Sequence, residues 1–248
     1  MNFVAQTNLQ LYRQLSQKGS SQGDLEYVHQ AYQLALQLFP FLYRPNGKEH
    51  LAHAVGTSSI LCSLGQSLQI ISAGLLHAAY TNGEFPRLRK GPTKANRQFI
   101  RKVLGHETEE LIFQYFQSNW DKQNLEELQG RFFQLSEINR QSLLIRLADE
   151  LEKCVDLGVL FVSSGPGGKR SLQTKGPVRV ELARKLGYPA LAEQLQVAHE
   201  TILKSEIPSV LCNGHKVRRD FCQRPLSFRV SFWARLATLP RIYSSYLK

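Results

Sequence analysis

The chain reads as an all-α protein. Apolar residues recur at threes and fours through almost every periodic stretch, as helices require. Strand-period alternation is nowhere convincing. Hydrophobic residues make up 42% of the 248 positions and aromatics 10%, enough for a packed core.

Residues 4–17 and 24–39 read as two leading helices, and in the second Leu25, Val28, Tyr32, Ala35 and Phe39 share one face. Asn46-Gly47 marks a turn. Segments 49–64 and 67–80 then read as apolar helices joined at Gly65-Gln66. A polar loop, "TNGEFPRLRKGPTKANR", follows. Helices are expected at about 97–104 and 106–119, the second opened by His106 ahead of the acidic turn "ETEE". A long helix at 137–160 carries Leu144, Leu147, Leu151 and Val155. Glycine-rich "SSGPGGKRS" is expected to break the chain at 163–171, before helices at 176–187 and 189–204. The organisation expected is N-terminal helices (1–39) on a core (40–162), a linker (163–175), a helical pair (176–205) and a basic extension (206–248).

The net charge of +11 favours anionic partners. Cys62, Cys154, Cys212 and Cys222 show no disulfide-framework spacing, as in a reducing compartment. The N-terminus lacks the pattern of a signal peptide, and no apolar run reaches the ~18 residues of a membrane span. A cytoplasmic protein is expected.

The chemistry concentrates in "RPNGKEHLAHAVGTSSILCSLGQSLQIISAGLLHAAY" and "LLIRLADELEKCVDLG". These place His53, His77 and Asp149 on three separate apolar segments, where unpaired polar groups are costly. Two imidazoles and a carboxylate that converge form a facial ligand set for a divalent metal, whether Mn, Fe, Mg or Zn. The alternative is that both histidines are hydrogen-bonded core residues and no metal binds.

The order "R…G…H", "AGLLH", "LADEL" resembles the HD superfamily of metal-dependent phosphohydrolases, and most of all the hydrolase domain of the stringent-response (RelA/SpoT) family. The resemblance covers roughly residues 30–160 and implies an HD-domain-like helical bundle. It puts the first family histidine on His53, the His-Asp dyad on His77-Ala78 and the closing aspartate on Asp149, with Arg44 and Gly47 near the family's arginine and glycine. The departures are pronounced. Ala78 replaces the dyad aspartate, and Thr81-Asn82 stands where the family has its Glu-Asp pair. "AGLLHAAYTNGEF" is more similar to a variant group of HD-like proteins in which a small residue followed by tyrosine replaces the dyad acid.

The resemblance implies metal-assisted hydrolysis of a phosphorylated or nucleotide-like small molecule. Asp149 and Glu84 are the candidate bases, and Arg44, Lys48, His50, Tyr80 and Arg146 the candidate substrate contacts. Two other readings stay open: a catalytically inactive nucleotide-sensing or interaction module, and a non-haem iron oxygenase using the same two-His one-carboxylate set. His50, three residues before His53, is expected to face the entrance or solvent rather than bind metal. His106 with Glu109 and Glu110 reads as a helix cap with a solvated acidic face. "GPGGKRS" fails the phosphate-loop pattern because Arg170 follows the lysine. Cys212, His215 and Cys222 match no standard zinc finger.

The last segment interleaves Phe221, Phe228, Phe232, Trp233, Tyr243 and Tyr246 with eight basic residues and one acid, Asp220. It suits either contact with an anionic membrane or nucleic acid, or a strap packing its aromatics on the domain.

Overall fold

The computed structural model describes residues 4–86, 90–118, 125–161, 165–208 and 211, with the side chains of 165 and 166 excepted. The basic extension beyond 211, with Cys212, His215 and Cys222, lies outside the described residues. Among those described the architecture is all-α, with one isolated antiparallel bridge, Tyr43 to Glu49. None of the described helices is long and apolar enough to cross a membrane.

Helix α1, Asn8–Gln17, and α2, Gln22–Leu38, both begin with a capping box. In each, Thr7 or Ser21 accepts from a backbone N–H three residues on, and that residue's side chain accepts from the cap's own N–H. Gly47, at φ 87°, closes the turn after Arg44-Pro45-Asn46, and Arg44 and Lys48 pair across it (N to O 2.8 Å). Helix α3, His50–Ser63, is buried nearly all round, which is why it shows no amphipathic stripe. It packs on α4, Leu68–Leu76, and on α8, Glu137–Val155. Small residues permit the approach: a Cβ at Gly74 would lie 2.7 Å from Leu61 Cδ1.

The expected helix 67–80 breaks at His77-Ala78 into α4 and a single turn, α5, Ala79–Asn82. The two helices expected around residue 105 are both present, as the two halves of α6, Lys94–Gln117, which break at Gly105, where the backbone (φ 80°) is not helical. A short helix the sequence did not announce, α7, Leu125–Gly130, leads through a 3₁₀ turn, Phe132–Gln134, into α8.

The glycine-rich linker expected at 163–175 is a correction. From Gly165 the chain is already helical, in α9, Gly165–Lys185, which runs through Pro177. Tertiary packing overrides propensity here, because α9 packs on α10, Pro189–Lys204, and on the turn at Val159, and Gly176 admits the His199 ring, 3.0 Å from where a Cβ would stand. Helix α10 docks the pair onto α8.

Candidate metal centre

Helices α3, α4 and α8 each bring one polar side chain to a common point. His53, from the first turn of α3, His77, at the end of α4, and Asp149, from the middle of α8, present ligand atoms that lie within 4.8 Å of one another. Their exposures are 0%, 3% and 1%. His53 Nε2 stands 3.0 Å from Asp149 Oδ1, and His77 Nε2 stands 3.8 Å from the same oxygen. Ligand atoms held about 2.1 Å from one ion would be spaced about 3.0 to 3.4 Å apart in octahedral or tetrahedral arrangements. The 3.0 Å spacing lies in that range and the 3.8 Å spacing is wider than it, so the group could hold a divalent ion with a small inward shift of His77.

The other nitrogen of each ring decides which atom faces the centre. His77 Nδ1 donates to the carbonyl of Gly74, one turn back on its own helix, at 2.7 Å. Its Nε2 then carries the lone pair. His53 Nδ1 is held by the Glu152 carboxylate in a short contact. Anchoring one ring nitrogen while the other points at a shared site is the arrangement that metal-ligating histidines need. With its proton on Nδ1, His53 would face Asp149 lone pair to lone pair. That contact is favourable only with a cation, a proton or a metal ion, between them. Neither His53 Nε2 nor Asp149 Oδ1 has a hydrogen bond of acceptable alignment, although both are buried.

Burial pushes the His77 imidazole down to about 4, against the opposing pull of Asp149, so it is neutral near pH 7. Burial alone would raise the Asp149 carboxyl. Lys153 and the two histidines outweigh it and hold Asp149 well below its usual range. Glu152 is depressed likewise, by His53 and Lys48 against burial. Asp149 Oδ2 is fully engaged: it accepts from the Tyr115 hydroxyl at 2.7 Å and from Lys153 Nζ at 2.8 Å. The Tyr115 ring lies against His77, 5.0 Å between centroids, and closes that side.

Of the other expected site residues, Lys48 reaches the cluster indirectly, through Glu152 and through Asp156 at 3.0 Å. Arg146 stacks on Tyr115, 3.8 Å from the ring, and donates to the Tyr115 carbonyl. Arg44 lies in the turn before α3, close enough to disfavour protonation of His50.

His50 corrects an expectation. It is buried, edge-on to Phe39 at 4.6 Å and 5.8 Å from the His53 ring, rather than facing solvent. Burial, then His53 and His77, hold it well below the usual histidine range.

Tyr80 is turned away from the centre: it is buried, and its hydroxyl donates to Glu109 at 2.6 Å. Glu84 is not in the converging group; its backbone N–H caps the end of α2 at Leu38 O, 2.8 Å away. Glu109 corrects a second expectation. It is 0% exposed and gripped by Arg97 (2.7 and 2.9 Å) and Arg101 (2.5 Å), so it ties the two halves of α6 across the Gly105 bend instead of forming a solvated face.

Sequence reasoning missed Glu152. Its signal was its place three residues after Asp149, which puts both carboxylates on one face of α8.

Residues 43–119 match a family described as a domain of unknown function, DUF6817. The matched stretch includes both histidines and ends before Asp149 and Glu152. No curated protein matches the chain.

Proposed function

We propose that the domain binds one divalent metal ion at His53, His77 and Asp149 and uses it to hydrolyse a phosphorylated small molecule. The observation that supports this most is the pair of anchored imidazoles, Nδ1 tied to Glu152 and to Gly74, with both Nε2 atoms directed at Asp149 Oδ1. When bound, an ion in such a site can lower the pKa of a coordinated water or polarise a phosphoryl oxygen. Asp149 would hold the ion through Oδ1, while Tyr115 and Lys153 fix its Oδ2. Lys48 and Lys153, the more exposed groups bound to the two carboxylates, put positive charge at the rim for an anionic substrate. The resemblance to the HD superfamily supports the same reading.

One observation favours a second reading, a non-catalytic module. The three ligands are almost completely buried, and Ala78, Thr81 and Asn82 supply no further acid.

Metal analysis of protein purified without chelator, followed by phosphate or pyrophosphate release from a panel of phosphorylated metabolites, tests the proposal. About one ion per chain and metal-dependent turnover are expected. Bound metal without turnover on any substrate would favour the module. Metal-free, stably folded protein that takes up no added ion would end both the metal and the hydrolase readings.

A further inference from the structure

Between the C-terminal end of α6 and the N-terminal half of α8, beside α7 and the 3₁₀ turn, lies a cavity of about 350 Å³. It is a different place from the histidine centre: Ser142, which lines it, is two helical turns before Asp149 on α8. We propose that this cavity is a binding site for a small heterocyclic anion of about nucleoside-monophosphate size.

Three features of the lining specify that class. Gln114, Gln117 and Asn139 bring carboxamides, each offering both donors and acceptors, the complement of a heterocycle edge. Arg131 is the one charged residue among the described lining, so the cavity suits a single anionic group and disfavours a cation. Leu135 gives an apolar wall against which a ring can lie.

Ser142 forms part of the inner wall of the cavity. Ser142 is 1% exposed, and its Oγ has no hydrogen-bond partner among the described residues. The volume is at the small end of the range for small-molecule sites, about 300–1,000 Å³. The site is independent of the proposed hydrolysis, although Tyr115, flanked by Gln114 on α6, also touches Asp149.

The test is calorimetric titration of the full chain with AMP, GMP and inorganic phosphate, in the presence of a metal chelator. At least one nucleotide should bind saturably, and inorganic phosphate at least tenfold more weakly. Arg131→Ala, at an exposed position, should weaken the nucleotide at least fivefold. The proposal is overturned if neither nucleotide binds, if inorganic phosphate binds within tenfold of the nucleotide, or if Arg131→Ala changes the affinity less than fivefold. Nucleotide binding that appears only when divalent metal replaces the chelator would assign the ligand to the histidine centre. That result overturns the cavity site and leaves the proposed function standing.

Discussion

Glu152 holds His53 at Nδ1 while Asp149, one turn earlier on the same helix, faces Nε2 of the same ring at 3.0 Å. One face of α8 thus fixes both the orientation and the tautomer of the α3 histidine. Lys48 closes the arrangement by pairing with Glu152 from the turn before α3.

Glu152→Gln should therefore weaken metal binding without removing a ligand. An amide can present its carbonyl oxygen to Nδ1–H but loses the charge that raises the basicity of the ring, and second-shell changes of this kind cost about 10–100-fold in affinity. Competition titration with a metal-chelating dye measures this. An unchanged affinity beside a large loss in His77→Ala would show that Glu152 is only structural.

Gly56 sets how closely α3 and α8 approach. A Cβ there would lie 2.7 Å from Glu152 Cγ and 2.9 Å from its Oε1. Glu152 is held at both oxygens, by His53 and by Lys48, so it has little freedom to move aside. Gly56→Ala should destabilise the fold by about 1–3 kcal/mol, as overpacking in a tight core does. The cost should shrink in a Glu152→Ala background, because the clash and the clamp are one contact. Equal costs in both backgrounds, by denaturant titration, would place the strain elsewhere.

The helical class was legible because periodicity acts locally. Three starts were not: Thr7, Ser21 and Thr93 cap helices at 8, 22 and 94, which periodicity alone begins at 4, 24 and about 97. His53, His77 and Asp149 were legible because each is a polar residue inside an apolar run. Glu152 was not, since "DELEK" looks like an ordinary solvated helix face. His53 and Lys48, on other elements, draw it inward, and Gly56 leaves it room. His50 was misjudged for the same reason: Phe39, distant in the reading of faces, covers it. Glycines misled at 165–168, where the helix continues into a segment packed on α10 and Gly168 lies against Val159.

The clamp across the Gly105 bend gives a third prediction. Removing Glu109 leaves Arg97 and Arg101, both partly exposed, beside a buried tyrosine hydroxyl that has lost its acceptor. Breaking a buried pair costs about 3–5 kcal/mol, and the exposure of the arginines puts Glu109→Ala at or below the lower end. Tyr80→Phe removes a single hydrogen bond and should cost about 1–2 kcal/mol. Chemical denaturation of the two variants measures the order, and a larger loss in Tyr80→Phe would contradict it.

Acid should destabilise the fold well before its carboxylates titrate. Burial is the leading cause that lowers His77 and His199 to about 4 and His50 well below its ordinary value. In the unfolded chain each takes up a proton near 6.5. Between those values the unfolded state binds more protons than the folded one, so stability rises with pH. The stabilisation is complete above about 6.5 and is lost as pH falls toward 4. At pH 5.5 each of these histidines should have cost about 1 to 1.5 kcal/mol relative to pH 7.5. Melting curves at pH 7.5, 6.5 and 5.5 test the trend, and His199→Gln, remote from the metal ligands, should flatten it. A melting temperature that stays level over this range, or rises as the solution is acidified, would mean that the buried rings are already protonated in the folded protein.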